Sequence, residues 1–263
     1  MLAAVVPARN EANRIGIVLR TLLDLPVAII IPVLNGCTDR TEEVVSAFVD
    51  RTPRCVLPVR VSQPMGLDIP RAAGANVALR SGATAVLFID GDTGSDLGGE
   101  LRQLCEPVNA GTLDMSLTNC YVDVPQDGLV GEVAGARFEL NRALGLDHLG
   151  ASSPSHGPHA VSRRLLQSLP LRELGMPPVT EAMAVMAGLK IDVGAYIPHH
   201  RLHSAVRPLQ HRVKVGHTII GDCLEALAVV EGRRRTRIKG GKEYQGFNQE
   251  RRWDLLERFL ARQ

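Results

Sequence analysis

The sequence predicts an α/β fold, a mostly parallel, Rossmann-like sheet flanked by helices, with a smaller and mainly helical C-terminal region. Three observations carry this. Short aliphatic runs alternate with segments of helical periodicity, the pattern of a doubly wound sheet. Polar, glycine-containing loops follow the runs, so right-handed crossovers gather them at one edge of the sheet. From Gly128 onward the alternation fades and helical segments dominate.

Leu2 to Val6 reads as a first buried strand, broken at Pro7 and followed by Ala8, Arg9, Asn10 and Glu11 as a loop. Ile15, Val18, Leu19, Leu22 and Leu23 then recur at helical spacing. Val27 to Val33 is a second strand, and Asn35-Gly36-Cys37-Thr38-Asp39 leads to a helix carrying Val44, Val45 and Phe48. Asp39 and Glu42 stand at capping-box spacing, which by itself accounts for Asp39. A third strand over Cys55 to Val61 is weakened by Pro58. Gln63-Pro64-Met65-Gly66 is a turn before a small-residue helix over Ile69 to Ala83. Ala85 to Ile89 is a strand buried on both faces, and it ends abruptly in Asp90-Gly91-Asp92. Asp114 to Tyr121 suits a further strand. A helix is expected near Arg137 to Leu144, then the polar loop Ser152 to Pro158, then helices over Arg163 to Leu169, Glu181 to Ala187 and Asp222 to Glu231. Arg233 to Lys239 is basic, and Trp253 to Leu260 is amphipathic.

With 263 residues the chain can bury one large core, alone or with an appendage. Its five cysteines are odd in number, scattered and without C-x-x-C spacing, which points to a reducing, cytoplasmic setting. The apolar start is too short for a signal peptide, and no run approaches the ~20 residues of a membrane span. Aromatic residues make up only 3 % of the chain and form no stacking platform, so nucleic acid is not an expected partner. No G-x-G-x-x-G follows the first strand, which disfavours a dinucleotide oxidoreductase.

Asp90 and Asp92 fall where ligands bind in parallel sheets, outside the carboxyl ends of strands. Two carboxylates there suit a hard cation, a ribose, or a nucleophile with its acid/base; the plain alternative is a solvated turn capping a helix.

Pro7-Ala8-Arg9-Asn10-Glu11, Asn35-Gly36-Cys37-Thr38-Asp39-Arg40-Thr41, Arg71 with Gly74, and Asp90-Gly91-Asp92 together resemble the nucleotide-sugar half of GT-A-fold glycosyltransferases, especially the large inverting family two. The resemblance implies a nucleotide-diphosphate-sugar donor held by Pro7, Ala8, Arg9, Asn10, Glu11, Asn35, Gly36, Asp39, Gly66, Arg71, Asp90 and Gly91. It implies Arg71 at the diphosphate, Asp90 at the ribose, and Asp92 on Mn²⁺ or Mg²⁺. A divalent ion there neutralises the leaving diphosphate. On this reading residues 1–125 form the nucleotide-sugar half, 126–205 the acceptor half of the same domain, and 206–263 a helical, basic extension.

The chain departs from that family in three places. Leu34-Asn35 stands where two acids are usual, and Gly66-Leu67-Asp68 replaces Gly-Lys-Gly. Thr180-Glu181-Ala182 puts alanine at the general-base position. The last departure points to a retaining relative. Gly128 to Val133, Ser155 to Leu166, Val179-Thr180-Glu181 and His199-His200-Arg201-Leu202-His203 resemble, more loosely, the glucosyl- and mannosyl-phosphoglycerate synthases. In that family a late histidine completes the metal site and the donor phosphate takes the acceptor's proton. The match implies His200 beside Asp92 on the metal, with a solvated loop histidine as the plain alternative. Glu181 joins Arg71 and Asp92 as a catalytic candidate, to orient hydroxyls or act as a base, or is a structural carboxylate at a helix start. His156, Gly157, His159 and Arg163 are candidates for the acceptor site, a solvated helix face being the alternative for the arginine. Leu129 and Gly131 stand where that family grips the acceptor phosphate with arginine and threonine, which argues against phosphoglycerate.

The expectation is therefore a metal-dependent glycosyltransferase moving a hexose to a small acceptor, retention slightly favoured. Two rivals stand beside it. Leu87 to Thr93 also fits the nucleophile motif of haloacid-dehalogenase phosphohydrolases, with Asp90 attacking phosphorus. A binding protein that has lost its base is the other. The basic stretch 233–242 leaves contact with an anionic membrane surface open, and the C-terminal helices suggest a homo-oligomer.

Overall fold

The computed structural model describes residues 1–52, 55–123, 125–204 and 206–262. A seven-stranded sheet runs in the order β3-β2-β1-β4-β6-β5-β7. Its strands are β1 (Leu2–Ala8), β2 (Ile29–Asn35), β3 (Val59–Val61), β4 (Ala85–Phe88), β5 (Met115–Asn119), β6 (His159–Ser162) and β7 (Ile191–Tyr196). Only β6 is antiparallel to its neighbours β4 and β5, so the sheet is mostly parallel as expected. Helices α1 (Ile15–Leu23), α2 (Thr41–Arg51), α3 (Ile69–Arg80) and α4 (Gly98–Asn109) cross between the first strands. Two apolar layers form, one on each face of the sheet, around residues such as Leu19, Leu87 and Leu101 on one side and Val5, Phe88 and Ile69 on the other.

The chain winds outward from β1 to β3, then returns to place β4 on the other side of β1. That reversal opens a crevice at the carboxyl ends of β1 and β4, where open α/β sheets bind ligands. Pro7 does not break β1 as the sequence suggested: it pairs with Val33 inside the ladder. Its carbonyl accepts from Gly91 N at 3.0 Å, so its missing N–H faces β4, whose ladder has already ended at Phe88, and the proline costs the sheet little. Where Pro32 and Pro58 fall, the β2–β3 ladder is interrupted between the Ile30–Val56 bridge and the pairing that resumes at Val59.

The second half of the chain holds what local pattern did not reveal. Strands β6 and β7 extend the sheet. The helix expected near Arg137 to Leu144 is α5 (Gly128–Ala143), and the one expected at Asp222 is α8 (Leu209–Val230), which begins well upstream. α6 (Arg163–Ser168) and α7 (Pro177–Met186) lie close to prediction, α7 opening on two prolines at positions where no N–H is needed. α5, α7 and α8 pack around Leu140, Val179 and Ile220 as a third apolar cluster. A small hairpin of β8 (Ile238–Lys239) and β9 (Lys242–Glu243) and a last helix, α9 (Trp253–Arg262), complete the chain.

Two expectations about the C-terminal region change. The apolar face of α9 is used inside the chain: Leu256 is buried and Trp253, Leu255, Phe259 and Leu260 pack on the α3 side of the sheet, so this face is not left for a second copy. The basic stretch is largely neutralised at home: Arg233 pairs with Glu231, Arg235 with Glu173 at 3.0 Å, Arg237 with Asp222 at 2.7 Å, and Lys239 with Glu139 at 2.6 Å. Among the described residues no helix is long and apolar enough to cross a membrane, and the five cysteines are free.

Candidate active site

Three loops meet at the crevice and are tied to one another. Asn10 Oδ1 accepts from Thr38 N at 2.8 Å, Thr41 Oγ1 from Glu11 N at 2.7 Å, and Asp39 Oδ2 from Ala12 N at 3.2 Å. Asp39 Oδ1 also accepts from Thr41 N at 3.0 Å. Burial opposes the charge on Asp39, yet the bonds from Thr41 and Ala12 hold its carboxyl below the ordinary range. The capping box expected at Asp39 does not form, since α2 is capped at Arg40 with no side-chain bond; Asp39 instead clamps the first two loops together. Asn35 braces the third: its Oδ1 accepts from Met65 N at 2.7 Å and its Nδ2 donates to Gly66 O at 3.2 Å. Gly36, at φ +63°, presses on Pro64, where a Cβ would stand 2.7 Å from the ring. Asp39, Asn35, Gly36 and Gly66 therefore shape one wall of the crevice, while Arg9 and Asn10 are exposed on it.

The β4 loop forms the floor. Gly91 passes so close to β1 that a Cβ would stand 3.0 Å from Pro7 O and from Ala8 Cβ. On one side of it Asp90 Oδ1 accepts from Arg71 Nη2 at 2.9 Å, and Arg71 Nε donates to Asp68 Oδ1 at 3.1 Å. Arg71 is thus almost enclosed between two carboxylates, whereas the Asp90 side chain keeps 48 % of its surface open. Burial pushes the Asp90 carboxyl up, Arg71 pulls it down, and nearby Asp92 adds to the rise. The geometry makes Arg71 the holder of Asp90 more than a ligand of a diphosphate.

On the other side Asp92 faces a guanidinium that the sequence reading passed over. Arg207 Nη2 bonds Glu11 Oε1 and lies 3.8 Å from Asp92 Oδ2. Glu11 is pushed up by burial and by Asp92, against the pull of Arg207. Arg14 Nη1 donates to His203 O and, at 3.5 Å, to Asp92 O. The β7 loop closes over this corner: Gly94 N donates to Leu202 O at 3.0 Å, and Ser95 Oγ to Arg201 O. A divalent ion bound together with a diphosphate asks the protein for only one or two donors. Asp92 and the adjacent Glu11 fit that demand. Among the described residues no cluster of three or more His, Cys, Asp or Glu stands ready to hold an ion, so one bound here would be shared with phosphate oxygens.

The late histidines separate. His199 Nδ1 lies 3.0 Å from His156 Nε2, and Tyr121 lies beside both rings, at 5.0 Å from His156 and 5.8 Å from His199. Burial holds both imidazoles below the ordinary histidine range, with Arg137 adding to the effect. His203 takes a left-handed backbone at φ 46° and lies with its Cβ against Gly94, beside the Asp92 loop. His200 is exposed on the intervening turn.

Several expected acceptor residues lie elsewhere. Arg163 stands beyond β6 at the far end of β4: its Nη1 donates to Leu79 O at 3.2 Å and Ala83 O at 3.0 Å, capping α3. His159 is 3 % exposed in the sheet, stacked on Phe88 at 5.0 Å, because its strand is sandwiched between β4 and β5. Gly157, at φ +75°, turns the loop over Thr118 and Cys120 beside His156. Glu181 is 0 % exposed on the inner face of α7. Its Oε2 accepts from Ser153 Oγ at 3.3 Å, and burial pushes its carboxyl up to about 8, with Ser153 and Arg137 opposing. Arg137 in turn donates from Nε to Ser155 Oγ and from Nη2 to Ser155 O, each at 2.9 Å. Glu181 therefore reaches the cleft through the Ser153–Ser155 loop and does not line it. Arg137 and Arg207 were missed because their partners lie elsewhere in the sequence, and Asp68, though three residues from Arg71, because its second partner Arg251 is remote.

Residues 3–158 match the family model described as Glycosyl transferase family 2. Structures of glucosyl-3-phosphoglycerate synthase from Mycobacterium tuberculosis share the fold. One, in complex with Mn²⁺, UDP and glucosyl-3-phosphoglycerate, is 20 % identical over 90 % of this chain and 82 % of its own, with a TM-score of 0.63. Another, with Mn²⁺, UDP-glucose and phosphoglyceric acid, is 22 % identical over the same shares, with a TM-score of 0.64. A third, with Mg²⁺ and UDP, is 21 % identical over 90 % and 82 %, with a TM-score of 0.63. No curated protein matches the chain.

Proposed function

Because the chain belongs to glycosyl transferase family 2, we propose that it moves a hexose from a nucleotide-diphosphate sugar to a small anionic acceptor, with Mn²⁺ or Mg²⁺ and with retention at the anomeric carbon. The observation that carries this is the division of labour at Asp90-Gly91-Asp92: Asp90 is held by Arg71 at 2.9 Å on the nucleotide side, while Asp92 faces Glu11 and Arg207. Family membership sets aside the phosphohydrolase reading, which leaves the three tied loops unexplained.

Pro7, Ala8, Arg9, Asn10 and Glu11 line the nucleoside, and Asp90 takes the ribose hydroxyls. Asp92 is the metal's carboxylate. His203, whose backbone lies against the Asp92 loop, is better placed than His200 to join it. The bound ion supplies positive charge to the leaving diphosphate. Arg14 and Arg207 border the same corner, and there they steady the developing charge as oriented donors.

His156 and His199, with Tyr121, offer a ring-lined wall for the acceptor, backed by the buried Arg137 cation, which favours an anionic molecule. Leu129 packs against α8 at Gly216, and Gly131 sits on the Gln126 backbone, so neither position offers a phosphate grip; this supports an acceptor other than phosphoglycerate. Retention is supported by Ala182 and by Glu181, which keeps its proton to about pH 8 and lies out of reach of an acceptor hydroxyl. In the transfer the sugar–phosphate bond breaks and the bond to the acceptor oxygen forms on the same face. The hydroxyl proton passes to an oxygen of the departing diphosphate.

A thermal-shift panel of nucleotide sugars with and without Mn²⁺ tests this. One donor should stabilise the protein only with the metal; no metal-dependent stabilisation by any of them overturns it. Anomeric analysis of the product by NMR tests retention, and an inverted product refutes it.

A further inference from the structure

A line of seven side chains of alternating charge runs from the cleft into the C-terminal region: Asp90, Arg71, Asp68, Arg251, Asp222, Arg237 and Glu225. Arg251 is its midpoint. Its side chain is 0 % exposed; Nη1 and Nη2 donate to the two Asp222 oxygens at 2.7 and 2.6 Å, and Nη2 lies 3.7 Å from Asp68 Oδ2. The backbone beside it is fastened to the same turn. Arg252 N donates to Met65 O at 2.8 Å, and a Cβ on Gly66 would stand 2.7 Å from Glu250 O.

We propose that Arg251 is a positioning residue for the donor site: it satisfies Asp68, so that Arg71 stays on Asp90. The argument is one of competition. Asp68 and Asp90 share a single guanidinium, Asp68 through Nε at 3.1 Å and Asp90 through Nη2 at 2.9 Å. Asp68 sits in a left-handed conformation, φ 63°, directly before α3, on the buried side of Arg71. In a low-dielectric setting an unsatisfied carboxylate draws the nearest cation to itself. With Arg251 present, the second oxygen of Asp68 faces a further cation, one shared with Asp222. Without it, Asp68 takes a larger share of Arg71, and Asp90 loses the bond that orients it. The C-terminal segment thereby acts on the donor site through the turn Gly66-Leu67-Asp68, against which Glu250 and Arg252 are fastened.

This rests on the reading of Asp90 as a donor-binding residue, and the test separates the two. UDP, GDP, ADP and dTDP, each with Mn²⁺, are titrated calorimetrically into the whole protein, and the tightest binder is then titrated into four variants. Arg251→Met should raise the Kd about tenfold. Adding Asp68→Asn to Arg251→Met removes the competitor, in a residue type that keeps the left-handed backbone, and should return the Kd to within about twofold of the wild type. Leu256→Ala, which opens the α9 core without touching the charges, should lower the melting temperature and leave the Kd unchanged. Where Arg251→Met fails to fold, Arg251→Lys carries the test, since one ammonium cannot serve Asp222 and Asp68 together; an intermediate Kd is expected. Wild-type affinity in the Arg251 variants, or no recovery in the double variant, overturns the proposal. No Mn²⁺-dependent binding of any of the four nucleoside diphosphates by the wild type overturns the functional reading instead.

Discussion

Arg207 stands between Glu11 and Asp92, bonded to the first and 3.8 Å from the second. A guanidinium thus occupies a corner of the cleft where two carboxylates converge. In the proposed function a metal–diphosphate would take that corner, so that cation and metal would compete for the same negative field and arriving phosphates would give the guanidinium a new anion.

Removing that competitor gives the first prediction. Arg207→Ala should bind Mn²⁺ several-fold more tightly in the absence of nucleotide, consistent with about 1 kcal/mol for a partly exposed ion pair, while turnover falls on the order of a hundredfold. Electron paramagnetic resonance of free Mn²⁺ reads the first effect and product formation the second. Weaker Mn²⁺ binding would show that Arg207 organises the carboxylates and does not block them.

The two acids of the β4 loop should fail differently. Asp92→Asn is expected to abolish the metal-dependent part of nucleotide-sugar stabilisation. Asp90→Asn should weaken donor binding about tenfold and keep the metal dependence. Thermal shift with and without Mn²⁺ separates them, and identical behaviour would contradict the split roles.

Glu181 makes stability depend on pH. Its carboxyl titrates near 4.5 when unfolded and near 8 when folded, so the folded state binds the extra proton between those values. Stability is full below about 4.5, falls as pH rises, and is lost above about 8. Glu181→Gln mimics the protonated acid and should gain on the wild type by on the order of 1–3 kcal/mol between pH 5 and 8. Urea unfolding across that range checks it; parallel curves would refute the buried, protonated state.

Arg163→Ala should cost about 1 kcal/mol of stability through the lost cap on α3 and leave the acceptor KM unchanged. A rise in KM would return Arg163 to the acceptor site.

The amino-acid sequence by itself determined the alternation of strands and helices, the end of β4 at Asp90, and the gathering of Pro7–Glu11, Asn35–Asp39 and Asp90–Asp92 at one edge. These are local signals: a few apolar residues make a strand, and chain handedness then decides on which edge its loop emerges. Tertiary structure alone decided which of the marked residues face the cleft. Arg207 meets Glu11 across 196 positions and Arg251 meets Leu67 across 184, separations at which periodicity carries no information. The antiparallel insertion of β6 buries His159 and carries Arg163 to the opposite edge. The packing of α5, α7 and α8 encloses Glu181 and raises its pKa. Charge pairing and burial are properties of three-dimensional neighbours, and those neighbours were set by the fold.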